Sequence, residues 1–362
     1  MACFVVMPFL LPSGPSTSGR RAYVLVAPPP FVATCWVLDH PAHVRALAPF
    51  VREGSTHDML LLTERAEVRA LYEQRDGSLP SRRAAWIPRA SGVWSGQRRL
   101  RQAVGHVKRW RRSLAGPHRM VAMNAPLMPL AARLAGVPRR WCLVDTEIQH
   151  RNLRWLDRGV TDVVVPTHWR EDIDGGRLAA WKRGADGGRW NLHRLNGTHQ
   201  HLHLAPIRRP IDLSDPPRIL VRRLLATGSH DDGEVIALPD AVIEGFQVLS
   251  WDEVSGPSER LAWSLLNRLS DVDGVVTQST TFAAEAAYLG VPTLLVSAAE
   301  RGYLDRVEAE GWPLFRHRGA CEGEAWLDVR ARWATGMALT DALSPDPWPD
   351  AKGTLDGLLQ DG

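Results

Sequence analysis

The stretch of this 362-residue chain richest in usable chemistry runs from Asp271 to Val296, DVDGVVTQSTTFAAEAAYLGVPTLLV. An apolar strand ends at Thr277, and a Ser/Thr-rich turn then opens a helix. Free backbone N–H groups at a helix start, helped by the dipole, attract an anion. Ser279, Thr280 and Thr281 can add hydroxyl donors to such a site. Glu285 follows one to two turns later, where a carboxylate can accept hydrogen bonds from the paired hydroxyls of a ribose. The same residues also read as an ordinary N-cap followed by a solvated glutamate.

Three further residues sit where strands end. His43 follows the first strand, on the edge of an open αβ sheet that faces a ligand crevice. An imidazole there can act as general base on a hydroxyl, since its pKa lies near neutral. A histidine without chemistry at a helix start is the other reading. Asp145 and Glu147 close another strand on that edge and can hold hydroxyls, serve as base, or cap the segment that follows. His199, His201 and His203 alternate, so a strand would put them on one face. No carboxylate or thiol stands close to them in sequence, so packing beside an interdomain crevice is expected and no metal is assigned.

These residues need a scaffold, and the hydrophobic pattern supplies one. Short apolar runs at 32–38, 59–62, 84–87, 120–123, 141–144, 163–165 and 190–195 alternate with helical stretches opened at Pro41, Glu64, Gln97 and Pro126. That alternation predicts parallel βαβ units. A Pro-rich stretch at 205–217 reads as a linker. A second, shorter series follows, with strands at 219–225, 235–238, 246–249, 274–277 and 291–296 and helices at 259–269, 281–289, 300–310 and 322–334. The helix that should follow Leu225 is missing, so the second unit is trimmed. The expected organisation is an N-terminal extension over 1–30, a first domain over 31–205, a second over 206–345 and a tail over 346–362.

Composition limits the class. Hydrophobic residues make up 44% and charged residues 23%, which is globular, and the length favours two cores over one. No apolar run approaches the ~20 residues of a membrane span. The four cysteines lie far apart with no CxxC pair, which suits a cytoplasmic compartment. The net charge of +4 is unevenly spread: between Gly77 and Val144 there are 14 Lys and Arg and no Asp or Glu. Within it, Arg82 to Arg119 interleaves Trp86, Trp94 and Trp110 with arginines, Arg98, Arg99, Arg109 and Arg112 among them. This segment reads as a solvated helix, as a surface drawn to anionic lipid, or as a nucleic-acid patch. No RNA- or DNA-binding signature accompanies it, so nucleic acid is not expected.

Ser279 to Leu294 (STTFAAEAAYLGVPTL) resembles the donor segment of GT-B glycosyltransferases and of the non-hydrolysing UDP-N-acetylglucosamine 2-epimerases. The shared pattern is a small-residue turn, a Glu, then the Leu-Gly-x-Pro step met here at Leu289, Gly290 and Pro292. Over residues 32 to 318 the chain is similar to the domain-of-unknown-function 354 family, itself GT-B-like. The resemblance is carried by DHPAHV at 39–44, Asp145-Thr146-Glu147, Asn196-Gly197, Val221-Arg222 and Asp305-Arg306. Ser279-Thr280-Thr281 stands in place of the family's glycine-rich turn, and Arg222-Arg223 in place of its Arg-Pro.

The resemblance implies an α/β, GT-B-like fold, with two Rossmann-like domains facing across a cleft. It implies a sugar-nucleotide-dependent glycosyltransferase, cytoplasmic or peripheral to a membrane. The nucleotide-diphosphate sugar is its co-substrate, and no other cofactor and no metal are required. Arg222 and residues 279–281 would hold the diphosphate, Glu285 the ribose, and His43, Asp145 or Glu147 would serve catalysis. The basic stretch would meet an anionic membrane surface or a lipid-linked acceptor. The alternatives are a sugar-nucleotide 2-epimerase and an inactive, basic-surfaced binding protein of the same fold.

Overall fold

The computed structural model describes residues 32–73, 79, 83–89, 95–205, 213–224, 236–250, 266–339 and 348–361. Two all-parallel sheets organise them. The first has seven strands: β1 (Ala33–Leu38), β2 (Met59–Thr63), β3 (Arg83–Ile87), β4 (His118–Met123), β5 (Arg139–Leu143), β6 (Asp162–Pro166) and β7 (Asn191–Leu195), in the order β3-β2-β1-β4-β5-β6-β7. The central strands are apolar on both faces because helices cover both. On one face lie α1 (Pro41–Glu53) and α2 (Ala66–Glu73), and on the other α3 (Ser95–Arg112), α4 (Leu127–Leu134) and α6 (Arg177–Asp186), with the short α5 (His150–Leu153) between the last two in sequence.

The second sheet has five strands: β8 (Arg218–Arg222), β9 (Gln247–Ser250), β10 (Gly274–Thr277), β11 (Thr293–Val296) and β12 (Leu314–His317), in the order β12-β11-β10-β8-β9. Helices α7 (Thr280–Tyr288) and α8 (Gly302–Ala309) cover one face, and α9 (Gly323–Leu339) the other.

Four expectations change. The C-terminal stretch ends in a helix, α10 (Ala351–Asp361), that returns to the first sheet. Its Ala351, Leu355 and Leu359 join the core beneath α1, and Lys352 pairs with Glu53 at 3.0 Å. Of the strand expected over 235–238, the described residues 236–238 form none; the Ile236 carbonyl accepts from the Gln278 side chain instead of a neighbouring strand. Asn267–Asp271, expected to close a helix, is a short 3-10 turn. His199–Leu202 is also a 3-10 turn, not a strand, capped by Thr198, whose backbone N–H donates to His201 Nδ1 at 3.1 Å. The N-terminal extension over 1–30, most of the linker, residues 225–235 and most of the 259–269 stretch lie outside the described residues, as do Arg82 and Trp94.

Candidate active site

Parallel strands put their carboxyl ends on one edge, and here the two edges meet. From the first sheet come Asp39 and His43 at the start of α1, and Asp145 and Glu147 after β5. From the second come Arg222, Ser279 at the start of α7, and Arg301 at the start of α8. Tyr303 of α8 stitches the edges together. Its phenol lies near the Thr280 and Thr281 hydroxyls, its ring stands edge-on to His199 at 5.2 Å, and it feels the charge of Asp145. Burial pushes that phenol up to about 12, so it stays protonated.

Asp145 is the best-organised group on the first edge. Its Oδ1 accepts from Thr146 Oγ1 at 2.8 Å and from Asn124 Nδ2, and its Oδ2 lies 3.0 Å from His199 Nδ1. Burial alone would raise its pKa, but His199, His43 and these hydrogen bonds outweigh burial and hold it below the usual carboxylate value. His199 is 4% exposed, and burial lowers its pKa against the pull of Asp145. The carboxylate lies within ion-pair distance of Nδ1 but not in hydrogen-bonding geometry with it, and both ring nitrogens are buried with no hydrogen-bond partner among the described residues, so Nε2 is open to act as a base. His43 lies in the same pocket, lowered by burial against Asp39 and Asp145. Asp39 itself is spoken for: Thr63 Oγ1 donates to it at 2.6 Å and Arg99 pairs with it at 2.9 Å. Burial raises its pKa less than Arg99 lowers it together with Thr63 and His43.

Glu147 performs a different task. It is 1% exposed, and its Oε1 accepts two backbone N–H groups, from Arg170 in the first unit and Gly302 in the second, each at 3.2 Å. Burial pushes its carboxyl up to about 7 despite those donors. The approach is possible because residue 302 has no Cβ. One built there would lie 2.3 Å from the His168 carbonyl and 2.6 Å from Glu147 Oε1. Arg170 extends the joint to Glu300 (2.6 Å) and Asp305 (3.1 Å).

On the second edge, Ser279 caps α7 by accepting from Phe282 N at 3.4 Å, while Thr280 and Thr281 are half-buried. Arg222 is buried at the end of β8 with its guanidinium 5.2 Å over the Phe282 ring, beside the first turn of α7. Glu285 is not solvated. Its side chain is 0% exposed and is held by Arg45 of α1, through Nε to Oε1 and Nη2 to Oε2 at 3.2 Å each, and by His203 Nε2 at 3.1 Å. Burial opposes its charge, but Arg45 and His203 outweigh burial and hold it down at about 2.

The structure thus gathers Asp145, His199, His43 and Tyr303 around the α7 start, and sets Glu147 and Glu285 as two bridges between the units. Sequence reading missed Asn124, Arg45 and Tyr303. Asn124 follows directly on β4 at φ 42, the one positive-φ residue other than glycine among the described residues. Asn tolerates that conformation better than most, and a strained residue at a strand end marks a site.

Two parallel αβ units joined edge to edge define a GT-B-like molecule. No family model matches the sequence, and no curated protein matches it. Solved structures do match. A Listeria monocytogenes protein assigned as a UDP-N-acetylglucosamine 2-epimerase superposes with TM-score 0.59 at 10% identity, over 91% of this chain and 95% of that one. The UDP-GlcNAc 2-epimerase of Methanocaldococcus jannaschii gives 0.56 at 10% identity, over 91% and 100%. That of Neisseria meningitidis, bound to UDP-GlcNAc, gives 0.54 at 10% identity, over 91% and 100%. At such identity the likeness concerns the fold. No helix among the described residues is long and apolar enough to cross a membrane.

Proposed function

We propose that this chain acts on a nucleotide-diphosphate sugar at the seam between its two units, transferring the sugar to an acceptor hydroxyl. The observation that carries the reading is the close Asp145–His199 pair, which meets the second unit through the Tyr303 ring, with Arg222 buried beside the start of α7 in that unit. The diphosphate would lie on the first turn of α7, with Arg222, Ser279, Thr280 and Thr281 around it. Helix amides and a guanidinium offset the charge that develops on a leaving diphosphate. His199 Nε2 would take the acceptor proton, and the charge of Asp145, 3.0 Å from Nδ1, would stabilise the imidazolium that forms. A positioned base of this kind is worth about 10²–10⁴ in rate. Glu147, half-protonated near neutral pH and bridging the units, serves closure in this reading rather than proton transfer. The ribose reaches Glu285 only after Arg45 has left it.

Two alternatives each rest on one observation. A sugar-nucleotide 2-epimerase is favoured by the similar structures, which are described as UDP-GlcNAc 2-epimerases. An inactive binding protein is favoured by the Arg45 fork on Glu285, which fills the ribose position. The experiment is incubation with labelled UDP-, GDP- and dTDP-sugars, with and without lipid-linked and soluble acceptors, followed by product analysis. Label in an acceptor, lost in Asp145→Asn and His199→Gln, supports transfer. Conversion of the nucleotide sugar alone supports epimerisation. No turnover of any donor removes the enzymatic reading.

A further inference from the structure

The two helices of the acid-free stretch, α3 and α4, lie on one face of the first unit. Helix α3 buries Ala103, Val107 and Trp110 against the sheet, with Leu100 and Val104 packed beside them. Its apolar stripe is therefore spent on the core. Arg99 also turns inward, to Asp39, and Trp110 donates to the His57 carbonyl at 2.9 Å. Trp86 is half-buried under Arg69. Trp86, Trp110 and Arg99, which suggested a surface in the sequence, do not form one.

What faces outward is Arg98, Arg101, Lys108, Arg109 and Arg112 on α3. The layer continues through Arg133 on α4 to Arg154 and Arg158, the Arg133 guanidinium donating to the Arg158 carbonyl at 2.6 Å. Neither α3 nor α4 contains an Asp or Glu. Asp157 is engaged by Arg177 and by the Trp181 indole. Two large apolar side chains stand exposed in the same layer, Leu134 at 52% and Trp155 at 42%, the latter with the Arg158 guanidinium 4.3 Å over its ring.

We propose that this α3–α4–Trp155 face docks on an anionic lipid bilayer. Charge complementarity selects an anionic partner. The exposed indole and leucine among the arginines select a bilayer over a polyanion, because an amphipathic ring gains most at a boundary with one apolar side. The proposal does not depend on the donor site. Cationic side chains near an anionic leaflet contribute roughly fivefold each in affinity.

The test is co-sedimentation with vesicles of phosphatidylserine and phosphatidylcholine, against phosphatidylcholine alone. The parent should bind only the anionic vesicles at 0.1 M salt. It should release at 1 M, where the Debye length falls from about 10 Å to about 3 Å. Reversing Arg101, Lys108, Arg109 and Arg112 to Glu should weaken binding at least a hundredfold. Leu134→Ser with Trp155→Ser, on other elements, should weaken vesicle binding several-fold while leaving any binding to a single-stranded oligonucleotide unchanged. Equal binding to both vesicle types, vesicle binding indifferent to the charge reversal or to the Leu134/Trp155 pair, or tighter binding to the oligonucleotide than to vesicles would each overturn the proposal.

Discussion

Replacing Glu285 by alanine removes the most deeply buried charge of the seam and leaves Arg45 behind as a buried cation. The size of the loss follows from the pKa. Glu285 is held at about 2 against an ordinary 4.5, which by linkage corresponds to roughly 3 kcal/mol of stability at neutral pH. Severing a buried pair costs about 3–5 kcal/mol in general, so the two arguments agree. A depressed acid pKa sets the sign: the contribution is complete above about pH 4.5 and fades as pH falls towards 2. Arg45→Met alone should cost a similar amount, because it strands the carboxylate. The double variant, Arg45→Met with Glu285→Met, should lose much less than the sum of the singles, since two apolar side chains can fill the same space. Urea unfolding of the parent, Glu285→Met, Arg45→Met and the double variant at pH 7 and at pH 3 supplies the cycle. Additive losses within about 0.5 kcal/mol, or a single loss unchanged between the two pH values, would refute the bridge as the source of the stability.

Glu147 behaves oppositely. Its folded pKa is raised to about 7, so the folded state holds the extra proton and stability falls as pH rises from about 4.5 to 7. Glu147→Gln should therefore gain on the parent by up to about 3 kcal/mol at pH 8 and little at pH 4, read as melting temperature; parallel profiles would contradict this. Gly302→Ala, which elsewhere would stabilise slightly, should here cost about 1–3 kcal/mol and speed proteolysis between the units, because its Cβ would lie 2.3 Å from a carbonyl oxygen; an unchanged melting temperature would count against the joint. Asn124→Gly should keep the backbone but lose the hydrogen bond to Asp145, whereas Asn124→Ala should lose both; equal stability of the two would show that the φ of 42 carries no strain.

Much of the scaffold was legible because central parallel strands are apolar on both faces and stand out as short runs, as VATCWVL and MLLL do. Strand β12, LFRH, escaped notice because it sits at a sheet edge and carries two basic residues. Helix α10 looked like a tail because AKGTLDGLLQD has two glycines and only a narrow apolar stripe, and its docking partner lies some 300 residues away. The histidine alternation misled for a local reason. Thr198 caps a 3-10 turn there, and hydrogen bonding at a cap outranks a period-two pattern of polar residues. The position of Glu285 on its helix was readable from spacing, but its burial was not. Arg45 stands 240 positions earlier, and no local pattern announces so distant a partner. The turn Asn196-Gly197 was readable as a motif, and the structure gives its reason. Gly197 sits at φ 125 with Pro349 and Ala351 packed against it, where the chain leads into α10.

The proposed chemistry depends first on a nucleotide-diphosphate site between Arg222 and the start of α7. Thermal shift against UDP, GDP, dTDP and their sugars tests it most directly, because a ligand of the folded state alone raises the melting temperature. Nucleotides of one base should give a saturable rise, with affinity at least tenfold weaker in Arg222→Ala, since a hydrogen bond to a charged group is worth about 1.5–3 kcal/mol. No rise with any of these nucleotides at millimolar concentration, or a rise indifferent to Arg222→Ala, would contradict it.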